Sequence, residues 1–196
     1  MIGAGGTGGH VYPALATAEA LLNSNNPDLS LYFVGAVGGM ERKLVAESGI
    51  PFARYDEMFA GPIHGVNLLR MLTSMVLLMI GTIQSFFKLL SIRPQVILLT
   101  GGWSNLPVAM VARVMRTPIV IYLPDIEPGL TIQVLQRFAS KVAITVETSE
   151  QYFPAGKTVV TGYPLQMNRL TATREDAIEH FQLDPARKTV LVFGGQ

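Results

Sequence analysis

The sequence predicts an α/β protein whose core is a doubly wound, Rossmann-like parallel sheet. Three observations carry this. Short runs rich in β-branched residues recur along the chain, helical patterns alternate with them, and glycine clusters follow two of them. Near-continuous apolar strands suit a sheet covered on both faces, and strand–helix–strand repetition implies parallel neighbours joined by crossover helices.

The elements follow in order. Residues 1–4 precede the first glycine cluster and are short for a buried first strand. Strands are predicted over residues 31–35 (LYFVG), 95–100 (QVILLT), 118–123 (PIVIYL), 141–146 (KVAITV) and 158–161 (TVVT). Pro94 introduces the second of these and Gly101-Gly102 closes it. Helices are predicted over residues 11–22, 39–48, 106–116 and 130–140. Residues 188–193 (KTVLVF) read as a fresh strand, and Gly194-Gly195-Gln196 opens another glycine turn. The expected organisation is therefore a first domain over residues 1–165. Residues 166–196 are expected to be a linker and the start of a second domain.

Composition narrows the function classes. Of 196 residues only 15% are charged, 49% are hydrophobic and the formal net charge is +1. Soluble domains carry about 25% charge, so this chain covers a large core or presents surface to lipid or a partner. A near-neutral chain offers no electrostatic footprint for nucleic acid. There is no cysteine, which excludes disulfides. The opening residues lack the basic and apolar regions of a secretory signal.

The chemistry-bearing segment is GAGGTGGH, residues 3–10. Glycines between a strand and a helix let backbone N–H groups approach an anion at the positive end of the helix. Gly3, Gly5 and Gly8 satisfy G-x-G-x-x-G. A dinucleotide site also needs an acid at the end of the second strand, and Gly35 ends it without one. The loop otherwise reads as a phosphate cradle, or as a tight turn that binds nothing.

A longer string, GGTGGHVYPALATAEAL, resembles the first glycine loop of MurG-type glycosyltransferases. The likeness continues in order through YFVGAVGGMERKLVAESGIPF, GGWSNLPVAMVAR, EPGLTIQVLQRFASKVAIT, VVTGYPL and LVFGGQ. The resemblance implies the N-terminal, acceptor-binding half of a GT-B fold. It implies transfer of a sugar, N-acetylglucosamine from its UDP derivative, to a lipid-linked acceptor in peptidoglycan precursor synthesis. It further implies a peripheral enzyme on the inner face of the cell membrane, with the donor held mainly by a second domain and with no bound metal or other cofactor. Gly5, Gly6, Thr7, Gly8, Gly9 and His10 would form one wall of the acceptor diphosphate site. Gly101, Gly102, Trp103, Ser104 and Asn105 would form the other.

His10 is the sharpest catalytic candidate: a diphosphate contact, a base for the attacking hydroxyl, or an orienting residue in the loop. The family's third loop reads His-Glu-Gln-Asn, where this chain has Tyr122, Leu123, Pro124 and Asp125, with Pro128 and Gly129 kept. Asp125 is the polar replacement and second catalytic candidate, with Glu127 nearby. The departure leaves open a diacylglycerol or other polyprenyl-lipid acceptor, or a non-catalytic, membrane-anchoring half of a split enzyme. His64 is either a cleft residue or an ordinary loop residue, and His180 reads as solvated.

Residues 71–87 contain no charge. A helix here could span a membrane, lie in the core, or pack on the sheet while dipping into lipid. A span would separate strands that must share a sheet, so the interfacial reading is preferred. Leu72, Met75, Val76, Met79, Ile80, Ile83 and Phe87 would face lipid, with Arg70, Lys88 and Arg93 near headgroups.

Overall fold

The computed structural model describes residues 1–24, 26–62, 65–165 and 172–192. His64 and the end of the expected last strand lie outside them. Residues Met1–Pro164 form one compact unit and Leu165–Gln196 another.

The first unit is a seven-stranded parallel sheet. Its strands are β1 (Ile2–Gly3), β2 (Tyr32–Ala36), β3 (Arg54–Met58), β4 (Ile97–Leu99), β5 (Ile119–Leu123), β6 (Lys141–Ile144) and β7 (Thr158–Val160). The spatial order is β3-β2-β1-β4-β5-β6-β7. The helices are α1 (Gly8–Leu22), α2 (Glu41–Glu47), α3 (Leu68–Ile92), α4 (Asn105–Val114) and α5 (Leu130–Leu135). A 3-10 turn covers Glu147–Tyr152. The chain winds outward through β2 and β3, returns along α3 to β4, and then winds the other way. One core, built on Ile2, Val11, Leu15, Phe33 and Val45, lies under α1 and α2. The other, built on Leu89, Leu99, Val108, Ile121, Leu135 and Ile144, lies under α3, α4 and α5.

β1 is two residues long and central, pairing Ile2 with Phe33 on one side and Leu98 on the other. Two residues suffice because neighbours on both sides satisfy its backbone. The ladder continues through Ala4 N to Val34 O and Thr100 N to Gly3 O.

The sequence does not predict β3. Its residues, RYDEM, look polar, yet Asp56 is buried and faces α3. Arg54 pairs with Asp56 at 3.0 Å, and Lys88 of α3 closes on the same carboxylate oxygen. Lys88 is thus turned into the protein and is not free for a lipid headgroup. Removing Lys88 leaves the buried Asp56 carboxylate with the half-exposed Arg54 as its cation. Lys88→Met is expected to destabilise the chain by about 1–2 kcal/mol, and adding Asp56→Asn should recover part of that loss. Urea denaturation of the single and double variants checks this; equal losses in both would contradict the pairing account. On the same strand, Glu57 sits below the usual carboxylate range, chiefly through its hydrogen bond from Arg42.

α3 is built inside out. Asn67 caps it through Arg70 N. Its 25 residues extend about 37 Å at 1.5 Å per residue. Ser74, Gly81, Ser85 and Leu89 are buried, while Leu72, Met75, Val76, Met79, Ile80, Ile83 and Phe87 are all exposed. The small polar stripe therefore packs on the protein and the large apolar side chains point away from it. The helix is long and apolar enough to cross a membrane. However, the strands before and after it belong to one sheet, so it lies alongside that sheet.

In the second unit α6 (Arg174–His180) starts with a reciprocal capping box between Thr173 and Asp176. His180 is exposed and stacks edge-on with Phe181. No strand forms over residues 188–192, and Val190, Leu191 and Val192 stay exposed. The β-branched pattern there finds no neighbouring strand to pair with among the described residues.

Candidate functional site

Strand order reverses between β1 and β4. In an open α/β sheet the crevice beyond the carboxyl ends of two such strands is where ligands bind. Here the loop after β1 carries Gly5, Gly6 and Thr7 and runs into Gly8, Gly9 and His10 in the first turn of α1, and the loop after β4 carries Gly101, Gly102, Trp103 and Ser104. Both candidate loops converge on this crevice.

They also touch. A Cβ on Gly102 would lie 2.6 Å from the Gly5 carbonyl oxygen, and Gly102 has φ +94°. Gly101 has φ +126°, and a Cβ there would lie 2.7 Å from His10 Nε2. Only glycine lets this loop turn so close to its neighbour.

α1 starts at Gly8, and the side chain of its N-cap, Thr7, does not cap it. The Thr7 hydroxyl lies 3.3 Å from His10 Nδ1 instead. The N-cap of α4, Ser104, makes no capping bond either. Two helices thus start at one edge of the sheet without side-chain caps, although at α4 the N–H groups of Asn105 and Leu106 are taken by the Gly102 and Trp103 carbonyls. Free first-turn N–H groups and the helix dipoles favour an anion. The loop segments 3–10 and 100–105 contain no lysine or arginine, so backbone would carry the recognition.

His10 is fixed at the lip. Its Nδ1 lies 3.0 Å from the Gly5 carbonyl oxygen, which can only accept, so Nδ1 carries the proton. Nε2 is then the free lone pair, on the side facing Gly101. Thr100 Oγ1 donates to the His10 carbonyl at 2.7 Å, tying the lip to β4.

Two expected wall residues sit deeper than a direct ligand contact requires. Asn105 is fully buried, and its Nδ2 donates to the Gly101 carbonyl; Ser104 is buried beside Gly5. They brace the loop from below because α4 begins by diving into the core. Trp103 is partly buried against the apolar core. Asp125 lies on the loop after β5, one strand beyond β4, and is exposed. Glu127 accepts from the Tyr152 hydroxyl at 2.9 Å, and that bond raises the Tyr152 phenol above its ordinary value.

Sequence alone does not single out Glu41. It is fully buried, and its Oε1 accepts from Ala36 N. A Cβ on Gly5, Gly35 or Gly39 would each crowd its carboxylate. Gly35 and Gly39 of the GAVGG turn therefore make room for a carboxylate that packs beside the first loop at Gly5. Nearby Tyr55 is pushed well above the usual phenol range, first by burial and then by Glu41. Glu41 Oε2, Tyr55 Oη, Ser104 Oγ and Asn105 Oδ1 are buried without hydrogen-bond partners. Unmatched buried polar atoms each cost about 1–3 kcal/mol, and such costs concentrate at functional sites.

Among the described residues no cluster of three metal-ligating side chains occurs.

Comparison with known proteins fits this geometry. A family model described as the glycosyltransferase family 28 N-terminal domain matches residues 1–144. A UDP-N-acetylglucosamine–N-acetylmuramyl-(pentapeptide) pyrophosphoryl-undecaprenol N-acetylglucosamine transferase from Lactiplantibacillus plantarum is 36% identical over 196 residues, covering 100% of this chain and 53% of that protein. The protein of that name from Flavobacterium psychrophilum is 33% identical over 197 residues, with the same coverages. The chain thus spans about half the length of the curated relatives it matches. Among solved structures, MurG of Acinetobacter baumannii superposes with a TM-score of 0.65 at 25% identity, over 85% of this chain and 45% of that one. A UDP-GlcNAc 2-epimerase from Neisseria meningitidis gives a TM-score of 0.60 at 12% identity, over 83% of this chain and 45% of that one, a likeness of fold alone.

Proposed function

Because the chain belongs to glycosyltransferase family 28, through that family's N-terminal domain, we propose that it is the acceptor-binding half of a sugar transferase. In this reading N-acetylglucosamine passes from UDP-N-acetylglucosamine to a hydroxyl of a lipid-linked diphosphate acceptor, as in peptidoglycan precursor synthesis. The observation that carries the proposal is the meeting of two glycine loops and two helix starts without side-chain caps at the β1/β4 switch point. A diphosphate suits it, since concentrated negative charge is what free N–H groups and helix dipoles hold. The acceptor hydroxyl attacks the anomeric carbon of the donor, the bond to UDP breaks, and the hydroxyl proton leaves. In this reading His10 Nε2 accepts that proton, a role supported by the contact of Nδ1 with the Gly5 carbonyl, which leaves Nε2 the lone pair. The nucleotide is held mainly by the half of the enzyme that this chain does not span.

The exposed apolar face of α3 supports work at a bilayer surface, on the inner face of the cell membrane. Leu72, Met75, Met79, Ile83 and Phe87 would lie among the outer acyl chains without the helix crossing.

The test is transfer by the full-length protein, offered a panel of UDP-sugars with polyprenyl-diphosphate or diacylglycerol acceptors. Transfer of N-acetylglucosamine to the diphosphate lipid is expected. His10→Gln should lower the rate about 100-fold or more, the range of a general base, and Asp125→Asn less than about tenfold. The reverse ranking would move the base to Asp125, and turnover only on diacylglycerol would overturn the acceptor assignment. The 196-residue chain alone is expected to give no transfer.

A further inference from the structure

Glu41 opens α2, yet its side chain is fully buried. Among the described residues it has no ion-pair partner. Its Oε1 accepts from Ala36 N, and its Oε2 is buried without a hydrogen-bond partner. A buried charge matched so sparsely costs stability, and an apolar side chain of similar length would fill the space at less cost. The carboxylate therefore points to a role beyond packing.

Three glycines admit it. A Cβ on Gly5 would lie 3.1 Å from Glu41 Oε1, one on Gly35 would lie 2.9 Å from the same oxygen, and one on Gly39 would overlap the carboxylate. Gly6 and Gly38 take positive φ, but Gly5, Gly35 and Gly39 do not. Backbone conformation therefore does not require glycine at these three positions. Room for the carboxylate, with Ser104 and Tyr55 beside it, does. Because Ala36 N pins Oε1, that oxygen is a fixed stop against Gly5. Ser104 Oγ, 2.8 Å from the Gly5 Cβ position, is a second stop. The Gly5 carbonyl, in turn, holds His10 Nδ1 at 3.0 Å and packs against Gly102. Gly5 is thus gripped between Glu41 and His10.

We propose that Glu41 is a positioning residue for the transfer reaction. Its pinned carboxylate fixes Gly5, and through the Gly5 carbonyl it fixes the tautomer and the aim of His10. The inference rests on the reading of His10 as the base and adds the group that sets it. Without the stop, Gly5 settles toward the space the carboxylate held, and its carbonyl turns from Nδ1. The proton then redistributes between the two ring nitrogens, so Nε2 is a lone pair in only part of the molecules.

The experiment compares Glu41→Met, which keeps the length and removes the oxygens, with Glu41→Gln, which keeps one oxygen for Ala36 N. In the full-length transferase Glu41→Met should lower kcat about 30-fold, toward the scale of displacing a site by an ångström, and Glu41→Gln less than about threefold. In a His10→Gln background Glu41→Met should cost less than about threefold more, because the group it positions is gone. NMR of nitrogen-labelled histidine in the same proteins, with the ring neutral and the signal assigned through His10→Gln, reads the tautomer directly. The wild type and Glu41→Gln should show Nδ1 alone protonated, and Glu41→Met both tautomers. Should Glu41→Met not fold, Glu41→Asp, which draws the same charge back from Gly5, carries the same predictions. Wild-type activity in Glu41→Met, a fully multiplied loss in the His10→Gln background, or an unchanged tautomer would overturn the positioning role and leave the base reading standing. A wild-type ring protonated on Nε2, or a His10→Gln enzyme as fast as the wild type, would overturn the base reading and the inference with it.

Discussion

Gly81→Ala is expected to destabilise the protein by about 2–4 kcal/mol, the reverse of what helix propensity alone gives. In an exposed helix interior that exchange gains about 1 kcal/mol. Here a methyl group at position 81 would run into the Phe59 carbonyl oxygen and would lie 3.1 Å from both the Phe59 carbonyl carbon and Pro107 Cγ. Backbone cannot swing aside as a side chain can, so α3 must lift from the loop after β3. Overpacking of this kind costs about 1–3 kcal/mol, and the looser packing around the lifted helix adds to it. Ser74 against Gly61 and Ser85 against Met58 would loosen in this way. For a chain of this size the loss corresponds to a fall in Tm of roughly 10 °C. Val76→Ala, on the exposed face, should move stability by less than about 0.5 kcal/mol. A Gly81→Ala protein as stable as the wild type would mean that α3 does not seat on its small-residue stripe.

The second large effect concerns function. Gly102→Ala is expected to lower kcat/KM of the full-length transferase at least about 100-fold, the scale for displacing a site by an ångström. The added methyl would press on the backbone of Gly5 from a φ of +94°, so the two loops must separate. His10 then moves too, because Gly5 holds its Nδ1 and Thr100 holds its carbonyl. Stability should fall by only about 1–3 kcal/mol, the usual cost of one residue forced into that region. Activity within threefold of wild type would show that the loops work independently.

The order of these elements is written in the sequence more clearly than their orientation. β-branched runs closed by glycines locate the central strands, because buried parallel strands are apolar throughout. β3 is illegible: of its two buried members, Met58 and Asp56, the second is a charge, neutralised by Arg54 and by Lys88 from a helix 32 residues further on. α3 shows the same limit. Its periodicity separates a polar from an apolar stripe, but period alone does not say which stripe meets the protein. The steric answer comes from Gly61, Gly81 and Phe59, whose close approach admits only small residues.

At the site, the glycine loops and His10 are readable, since close backbone approach leaves glycine as its mark. Glu41 reads as an ordinary helix acid, although Gly35 and Gly39 before it are a signal. Asn105 is a wall residue in what the resemblance of the GGWSN segment implies. The helix start turns it inward, where it fastens Gly101.

The central claim is that the β1/β4 crevice holds the diphosphate of the acceptor and not the nucleotide of the donor. Calorimetric titration of the 196-residue chain tests it most directly, using a short-chain polyprenyl diphosphate carrying an amino sugar and, separately, UDP-N-acetylglucosamine. The account predicts saturable one-to-one binding of the diphosphate lipid, weakened about tenfold or more by Gly102→Ala, with UDP-N-acetylglucosamine bound far more weakly. Tight binding of the UDP-sugar with none of the lipid diphosphate would contradict it and give these loops to the donor.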